Sequence, residues 1–228
     1  MTTRESELRD GMKIEWDVAI PMEDGIVLRA DVYRPSQEGE YPVIMTYMPY
    51  GKGVAFPEGY PEQWGKLAAE HPDALEGSSN RYQNWEAVDP EKWVPEGYVC
   101  VRVDSRGAGR SPGYFEPFYS PRETRDLYLC IEWAGTQPWS NGKVGLLGIS
   151  YPASNQWRVA ALGPPHLAAI IPWEGAADAY RDATYHGGIL CSFFGKGRGI
   201  RNNKTGGLRL AGQAWSGKYS RELLRQGC

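Results

Sequence analysis

The chain has 228 residues, of which 41% are hydrophobic and 23% are charged, and its formal net charge is −3. This length and apolar content support one large α/β domain or two small ones. The slight negative charge excludes the basic surface with which proteins bind nucleic acids or anionic membranes, and no apolar run is long enough to span a bilayer.

The cysteines and histidines indicate a cellular compartment and the absence of a metal site. Cys100, Cys130, Cys191 and Cys228 lie tens of residues apart and form no C-x-x-C pair, and the chain has only three histidines. We therefore expect no metal site and no disulfide framework. The polar N-terminus lacks the apolar region of a signal peptide, so we expect a cytoplasmic protein with reduced thiols.

The first elements are predicted to form an antiparallel hairpin beside a buried strand. Apolar and polar residues alternate over 13–20 and again over 26–32, and the turn-forming sequence Glu23-Asp24-Gly25 lies between them. A continuous apolar run at 43–48 follows, which is typical of a central strand buried on both faces.

A long insertion precedes the next strand. Residues 51–97 are polar and rich in glycine and proline, and we expect short helices in them near 62–70 and 90–94, because a connection of this length is seldom structureless. The apolar run at 98–103 predicts a further buried strand. Asp104 follows it, and with the arginines of the segment DSRGAGRS it is interpreted as the structural support of a tight turn.

The clearest predicted helix covers residues 120–137. Ser120 is a suitable N-cap, Pro121 fits the first helical position, and Glu123 completes a capping box. Apolar residues then recur with helical spacing. These signals predict an amphipathic helix packed on the sheet.

The following segments repeat the alternation of strand and helix. A strand is predicted at 143–148, a helix at 151–162 and another strand at 167–172. This alternation is typical of βαβ units, so the predicted fold class is α/β with a mostly parallel sheet and an N-terminal hairpin.

The segment GISYPA at the junction of the last strand and helix is close to a nucleophile elbow. The motif G-x-S-x-G exposes a serine on a strained turn between a strand and a helix, and here Pro152 replaces its second glycine. Proline is tolerated in the first turn of a helix, and the N–H of Tyr151 remains available to bind an oxyanion. We therefore interpret Ser150 as a nucleophile; the alternative is a serine that only caps the helix.

Several longer stretches resemble one family of serine hydrolases, typified by cocaine esterases, glutaryl acylases and X-Pro dipeptidyl-peptidases. The resemblance covers roughly residues 13–190. It depends on five stretches in the same order: MEDGIVLRADVYRP, YPVIMTYMPYGK, GYVCVRVDSRGAGRSPG, IEWAGTQPWSNGKVGLLGISY and PPHLAAIIPWEGAADAYRDATYHGG. The resemblance implies an α/β-hydrolase fold and cleavage of an ester, amide or peptide bond.

The same resemblance implies roles for three residues and no cofactor. Ser150 would be the acylated nucleophile, and the hydroxyl of Tyr50 would join the backbone N–H of Tyr151 in the oxyanion hole. Tyr50 follows the strand at 43–48, the loop position that supplies the second oxyanion donor in this fold. Without the resemblance, Tyr50 would be interpreted as a packed loop aromatic.

The acid and base of the triad are not found in this chain. Family members carry them in GWxD-like and GPWxH-like stretches beyond a helical cap, and neither stretch occurs here. We therefore expect residues 1–12 to be a tail, 13–186 the N-terminal part of an incomplete hydrolase domain, and 187–228 the truncated beginning of the cap. His186, with Asp178 and Asp182 near it, is the local candidate for the base, but we do not expect it to serve, because nearness in sequence does not bring it to Ser150.

Two hypotheses follow from these features. In the first, the chain is a serine hydrolase that acts on a small-molecule ester or amide or on a peptide, with the missing groups supplied by a continuation or a complementing chain. In the second, it is a catalytically incompetent fragment with at most a binding role. A sheet that lacks its final strands exposes an edge, which predicts a homo-oligomer or poor solubility.

Overall fold

The computed structural model describes residues 6–116 and 120–191. The main sheet in this part of the chain contains β1 (Glu7–Arg9), β2 (Met12–Pro21), β3 (Val27–Pro35), β4 (Tyr41–Met48), β5 (Val99–Asp104), β6 (Ser140–Ile149) and β7 (Leu167–Trp173). Five α-helices accompany it: α1 (Phe56–Gly59), α2 (Pro61–Glu70), α3 (Pro90–Trp93), α4 (Pro121–Gly135) and α5 (Tyr151–Ala160). A short hairpin is formed by β8 (Tyr185–His186) and β9 (Ile189–Leu190).

The sheet joins an antiparallel part to a parallel part. Its strand order is β1-β2-β3-β5-β4-β6-β7. Strands β1, β2, β3 and β5 pair antiparallel, whereas β5, β4, β6 and β7 pair parallel. The predicted α/β class with an N-terminal hairpin is therefore confirmed, and the carboxyl ends of four parallel strands lie along one edge, where open α/β sheets bind their ligands.

Helix α4 begins with the predicted Ser120 cap, but the side chain of Glu123 bonds a residue of another helix. Ser120 Oγ accepts a hydrogen bond from the N–H of Glu123 at 3.1 Å, and Pro121 occupies the first helical position. The Glu123 carboxylate accepts a hydrogen bond from the hydroxyl of Tyr151. The side chain expected to complete a local capping box thus connects α4 to α5.

The central strands form the core with α4 and α5 on one face of the sheet. Val99, Val101 and Val103 of β5 are at most 1% exposed, as is Val43 of β4. The apolar stripe of α4 packs on them, as its helical spacing predicted; its buried members are Leu127, Cys130, Ile131 and Ala134.

The insertion covers the other face of the sheet with a second apolar cluster. Tyr82, Val88 and Val94 pack there against Tyr33 and Cys100 of the sheet. The two expected helices are α2 and α3, whereas α1 and a 3₁₀ turn at Pro72–Leu75 were not predicted. Each of these has four residues, too few to carry a helical apolar period.

The chain ends are described only in part. Residues 7–9 of the predicted tail form β1 and pair with β2. Of the predicted cap at 187–228, residues 192–228 lie outside the described residues. Within 6–116 and 120–191, no helix is long and apolar enough to cross a membrane.

Candidate active site

Ser150 lies on a strained turn where β6 passes into α5. Its φ is 61° and its ψ is −108°, a region that residues other than glycine seldom adopt. The turn is held by two backbone hydrogen bonds of 2.9 Å, from Ser150 N–H to the carbonyl of Trp173 and from Ser154 N–H to the carbonyl of Ser150. The Ser150 side chain is half-buried, and within the described residues its hydroxyl has no hydrogen-bond partner. This is the geometry of a nucleophile elbow.

Two glycines make room for the residues that follow Ser150. A Cβ on Gly148 would lie 2.4 Å from the Cβ of Pro152, and a Cβ on Gly175 would lie 2.7 Å from the Cβ of Ala153. Neither distance is possible for a real side chain. The elbow therefore accommodates Pro152 because the end of β6 and the segment after β7 both lack side chains at the contact.

Tyr50 and Tyr151 lie together at the same edge of the sheet. Tyr50 follows β4, and its ring centroid lies 6.4 Å from that of Tyr151, edge to face. Tyr151 is 1% exposed, and its hydroxyl donates to Glu123, which anchors the first residue of α5. The N–H groups of a first helical turn have no acceptor within the helix and are directed beyond its N-terminus, on the side of Ser150. The structure thus brings together the three residues expected to form the nucleophile and the oxyanion hole.

His186 does not reach Ser150 in this arrangement. It is exposed in β8, and its Nε2 contacts the backbone carbonyl of Asp182. The Asp178 carboxylate accepts from the N–H groups of Tyr180 and Arg181, and the Asp182 carboxylate accepts from the N–H of Asp178. Both carboxylates therefore hold a local turn, and neither hydrogen-bonds the His186 ring.

The other two histidines also have local roles. His166 precedes β7, and its Nδ1 lies 2.8 Å from a carboxylate oxygen of Glu132. His71 ends α2, where its N–H donates to the carbonyl of Leu67. No histidine in the described part of the chain hydrogen-bonds Ser150, so no base is assembled there.

A buried charge cluster beside the site was not predicted from the sequence. Lys52 is 4% exposed, and its Nζ lies 2.6 Å from carboxylate oxygens of both Asp17 and Asp31. Asp104 accepts from the N–H of Lys52 at 2.7 Å and from the N–H of Arg110 at 2.8 Å. The sequence gives only a weak sign of this cluster, namely an aspartate, Asp31, between apolar residues of a predicted strand.

The electrostatics of this cluster follow from burial and pairing. Burial raises the pKa of Asp104 to about 6, although Lys52 opposes the shift. Burial lowers the pKa of Lys52, but Asp31, Asp104 and Asp17 outweigh it, so that pKa is raised. Asp17 is half-buried, yet Lys52 and Arg110 hold its pKa below the ordinary value. As its sequence position indicated, Asp104 supports the loops that follow β4 and β5.

Comparison with known proteins identifies the family. The sequence profile of the X-Pro dipeptidyl-peptidase (S15) family matches residues 24–218. The chain belongs to this family. It is 33% identical over 175 residues to the cocaine esterase of Rhodococcus sp. (strain MB1 Bresler), a match that covers 76% of this chain and 26% of the esterase.

Solved structures agree with this assignment. A CocE/NonD family hydrolase from Staphylococcus aureus superimposes with a TM-score of 0.70 and 38% identity, over 89% of this chain and 34% of that one. An α-amino acid ester hydrolase shares the fold with a TM-score of 0.55 and 23% identity, over 80% of this chain and 29% of that one. The predicted α/β-hydrolase fold and family are thus confirmed, and membership supports a function of the serine-hydrolase type. The S15-family chain spans about a quarter of the curated esterase.

Proposed function

We propose that this S15-family chain carries the nucleophile and oxyanion hole of a serine hydrolase that cleaves an ester or amide bond through an acyl-enzyme. The observation that carries the proposal is the backbone of Ser150, a non-glycine residue with φ of 61° at a strand-to-helix junction. Such backbone strain persists only where the surrounding structure imposes it. At a nucleophile elbow, this conformation turns the serine hydroxyl toward the substrate.

The proposed roles follow from the site's geometry. Ser150 Oγ attacks the carbonyl carbon of the substrate, and the negative charge that develops on the carbonyl oxygen is stabilised by the N–H of Tyr151 and the hydroxyl of Tyr50. Donors fixed in advance need no reorganisation when the charge appears. The Tyr151–Glu123 hydrogen bond supports this arrangement by anchoring the residue that carries the N–H.

The general base and the acid that orients it are proposed to lie in a continuation of the chain or in a complementing chain, since residues 192–228 contain neither histidine nor aspartate. The Ser150 hydroxyl, which has no partner within the described residues, supports this, because a resident base would be its hydrogen-bond partner. Cleavage of small esters, amides or X-Pro peptides is proposed from the names of the relatives. We also propose a cytoplasmic location, for which the free thiols of Cys100 and Cys130 are the support.

A second candidate is a chain that binds such substrates without turning them over. The contacts of His186 and His166 with Asp182 and Glu132 favour it, since both imidazoles are engaged away from Ser150. The two candidates differ in whether Ser150 is activated, which can be measured directly.

Fluorophosphonate labelling of the purified chain, followed by peptide mass spectrometry, tests the proposal. Because an oxyanion hole retains part of the catalysis when the base is absent, we expect slow modification at Ser150, none in Ser150→Ala, and unchanged modification in Ser79→Ala, which alters an exposed serine. Tyr50→Phe should slow labelling by about 100-fold, since one oxyanion donor is worth roughly that much or more, whereas Tyr180→Phe should not. A chain that melts cooperatively and stays unlabelled would establish the second candidate.

A further inference from the structure

A large cavity lies on the face of the sheet that the insertion covers. Its volume is about 620 Å³, and its walls come from β1, β2, β3 and β5, from Arg110, and from residues of the segments 52–58 and 81–84. This volume is that of a site for a small organic molecule. Ser150, Tyr50 and Tyr151 are not among the lining residues, so the cavity is a feature apart from the elbow.

Arg102 of β5 lines the cavity and is incompletely satisfied. It is 2% exposed, and its Nη2 donates to the backbone carbonyls of Tyr82 at 2.5 Å and Val88 at 2.6 Å. Its Nε is buried without a hydrogen-bond partner, and none of the ion pairs within residues 6–116 and 120–191 includes Arg102. A buried charge without a counter-ion costs free energy, and an anion beside the guanidinium in the cavity would offset that cost.

The neighbouring cations that line the cavity are already paired. The exposed Arg9 and Arg81 lie within 4.0 Å of Glu7 or Asp10, Arg110 contacts Asp17, and Lys52 contacts the carboxylates of Asp17 and Asp31. An incoming anion therefore meets the positive charge of Arg102. The same two carboxylates would repel a dianion such as phosphate, so the environment favours a single negative charge.

The wall around Arg102 is aromatic. The ring of Tyr33 lies edge to face with those of Trp16 at 5.6 Å and Tyr82 at 5.8 Å between centroids. The Arg102 guanidinium carbon lies 5.2 Å from the centroid of Tyr33. Such a wall packs against the apolar body of a ligand while the guanidinium binds its charged end.

We propose that this cavity binds a small monocarboxylate with an aromatic or apolar body, its carboxylate paired with the guanidinium of Arg102. The proposal does not depend on the hydrolase activity, because it uses none of the residues at the elbow. Benzoate is a suitable probe, with benzamide as its neutral analogue of the same shape.

The experiment follows the indole N–H resonance of Trp16 by NMR during titration of the 228-residue chain. Trp16 lines the cavity, and its indole N–H donates to Glu7 at 2.7 Å, so its resonance reports on occupancy. We expect saturable shifts with both ligands and at least about tenfold tighter binding of benzoate than of benzamide, because only the carboxylate carries the charge that pairs with Arg102. Equal affinity for benzamide, equal shifts with chloride, or no saturation at concentrations on the order of 10 mM would overturn the proposal.

Three variants assign the effect to the cavity. Arg102→Gln should weaken benzoate binding at least about tenfold, whereas Arg34→Gln should leave it unchanged. Arg34 is the matched control, since it is also a buried strand arginine, but it pairs with Glu15 at 3.2 Å and does not line the cavity. Ala55→Phe fills the cavity without altering Arg102, and it should also abolish binding. If Arg102→Gln does not fold, Ala55→Phe and the benzamide comparison decide: binding that survives Ala55→Phe contradicts the proposal.

Discussion

Pro152 and the residues around it illustrate how single side chains set the elbow. Pro152 is buried in the first turn of α5, and its Cβ faces Gly148 across the turn. The elbow is tight on both sides, since Gly175 faces Ala153 in the same way. Side-chain volume at 148, not only the identity of residue 152, therefore determines whether Ser150 keeps its strained backbone.

The substitution Gly148→Ala should destabilise the protein. Its Cβ would lie 2.4 Å from that of Pro152, and relieving such overpacking costs about 1–3 kcal/mol in the free energy of unfolding. Urea denaturation measures the loss. The control is Gly145→Ala on the same strand, whose Cβ would meet only the carbonyl oxygen of Val43 at 3.7 Å and should be tolerated. Pro152→Gly should recover only part of the stability in the double variant, because the backbone carbonyl carbon of residue 152 still lies 3.0 Å from the added Cβ. An unaltered Gly148→Ala protein would contradict the tight elbow.

The buried carboxyl of Asp104 should make stability depend on pH. Its pKa is raised to about 6 by burial, so between about pH 4 and pH 6 the folded state holds a proton that the unfolded state has released. The contribution of Asp104 to stability is therefore present at the acidic end and is lost as the pH rises through about 6.

Denaturation at several pH values within this window, with Asp104→Asn for comparison, measures the effect. The amide side chain does not ionise, so the variant should lose this decline, although it is less stable overall because one of the two N–H groups that donate to Asp104 loses its acceptor. Asp73→Asn, at an exposed carboxyl, should retain the wild-type profile. An unchanged slope in Asp104→Asn would assign the pH dependence to other groups.

At the scale of elements, α4 contacts two other parts of the molecule that bear on the site. Its N-terminal turn contacts α5 through Glu123 and Tyr151. One turn later, the buried Asp126 binds Arg106 of the loop after β5, with nitrogen–oxygen distances of 2.7 and 2.9 Å. The position of this helix therefore bears on both the elbow and the loop that follows β5.

Loss of the α4 cap should have a modest and specific effect. Ser120→Ala removes the acceptor for the Glu123 N–H and should lower the free energy of unfolding by about 1 kcal/mol. Thermal or urea denaturation measures this loss. Ser120→Asp keeps an acceptor at the N-cap and should be near wild type; an equal loss in both variants would show that the hydroxyl acts otherwise than as a cap.

At the scale of the whole molecule, one edge of the sheet is apolar and open in the described structure. Strand β7 ends the strand order, and Ile171 and Trp173, two residues apart on one face, are 38% and 62% exposed. An exposed edge strand with large apolar side chains is a template for pairing with another chain. This agrees with the edge expected from the sequence and motivates the proposal of a homo-oligomer or a complementing chain.

Replacing both side chains should reduce self-association. The double variant Ile171→Lys and Trp173→Lys should weaken the assembly by about tenfold or more, since burial of each apolar side chain contributes about 1.5–3 kcal/mol. Analytical ultracentrifugation over a range of concentrations measures this. Leu8→Lys is the control, because Leu8 is 74% exposed on β1 at the opposite edge. A wild-type chain that remains monomeric would contradict the prediction.

The sequence by itself determined the features that depend on neighbours along the chain. The hairpin of β2 and β3, the Ser120 cap and the strand–serine–helix order at Ser150 follow from alternation, turn residues and capping chemistry. The quoted stretches that resemble the hydrolases likewise placed Tyr50 and Tyr151 beside Ser150. Except for the association of Tyr50 with Ser150, which rests on the family resemblance, each of these signals lies within a few residues of the feature that it predicts.

Only the tertiary structure decided the features that depend on the order of strands in the sheet. Because β5 lies between β3 and β4, it brings Arg102 beneath Tyr33 and Asp104 beside Lys52, pairs that no local pattern indicates. The turn of Glu123 toward Tyr151 likewise needs α4 and α5 side by side. An unpaired buried charge costs free energy, so such residues pair with groups that the fold brings near them even when those groups lie far away in the sequence. These pairs form only when the sheet is assembled.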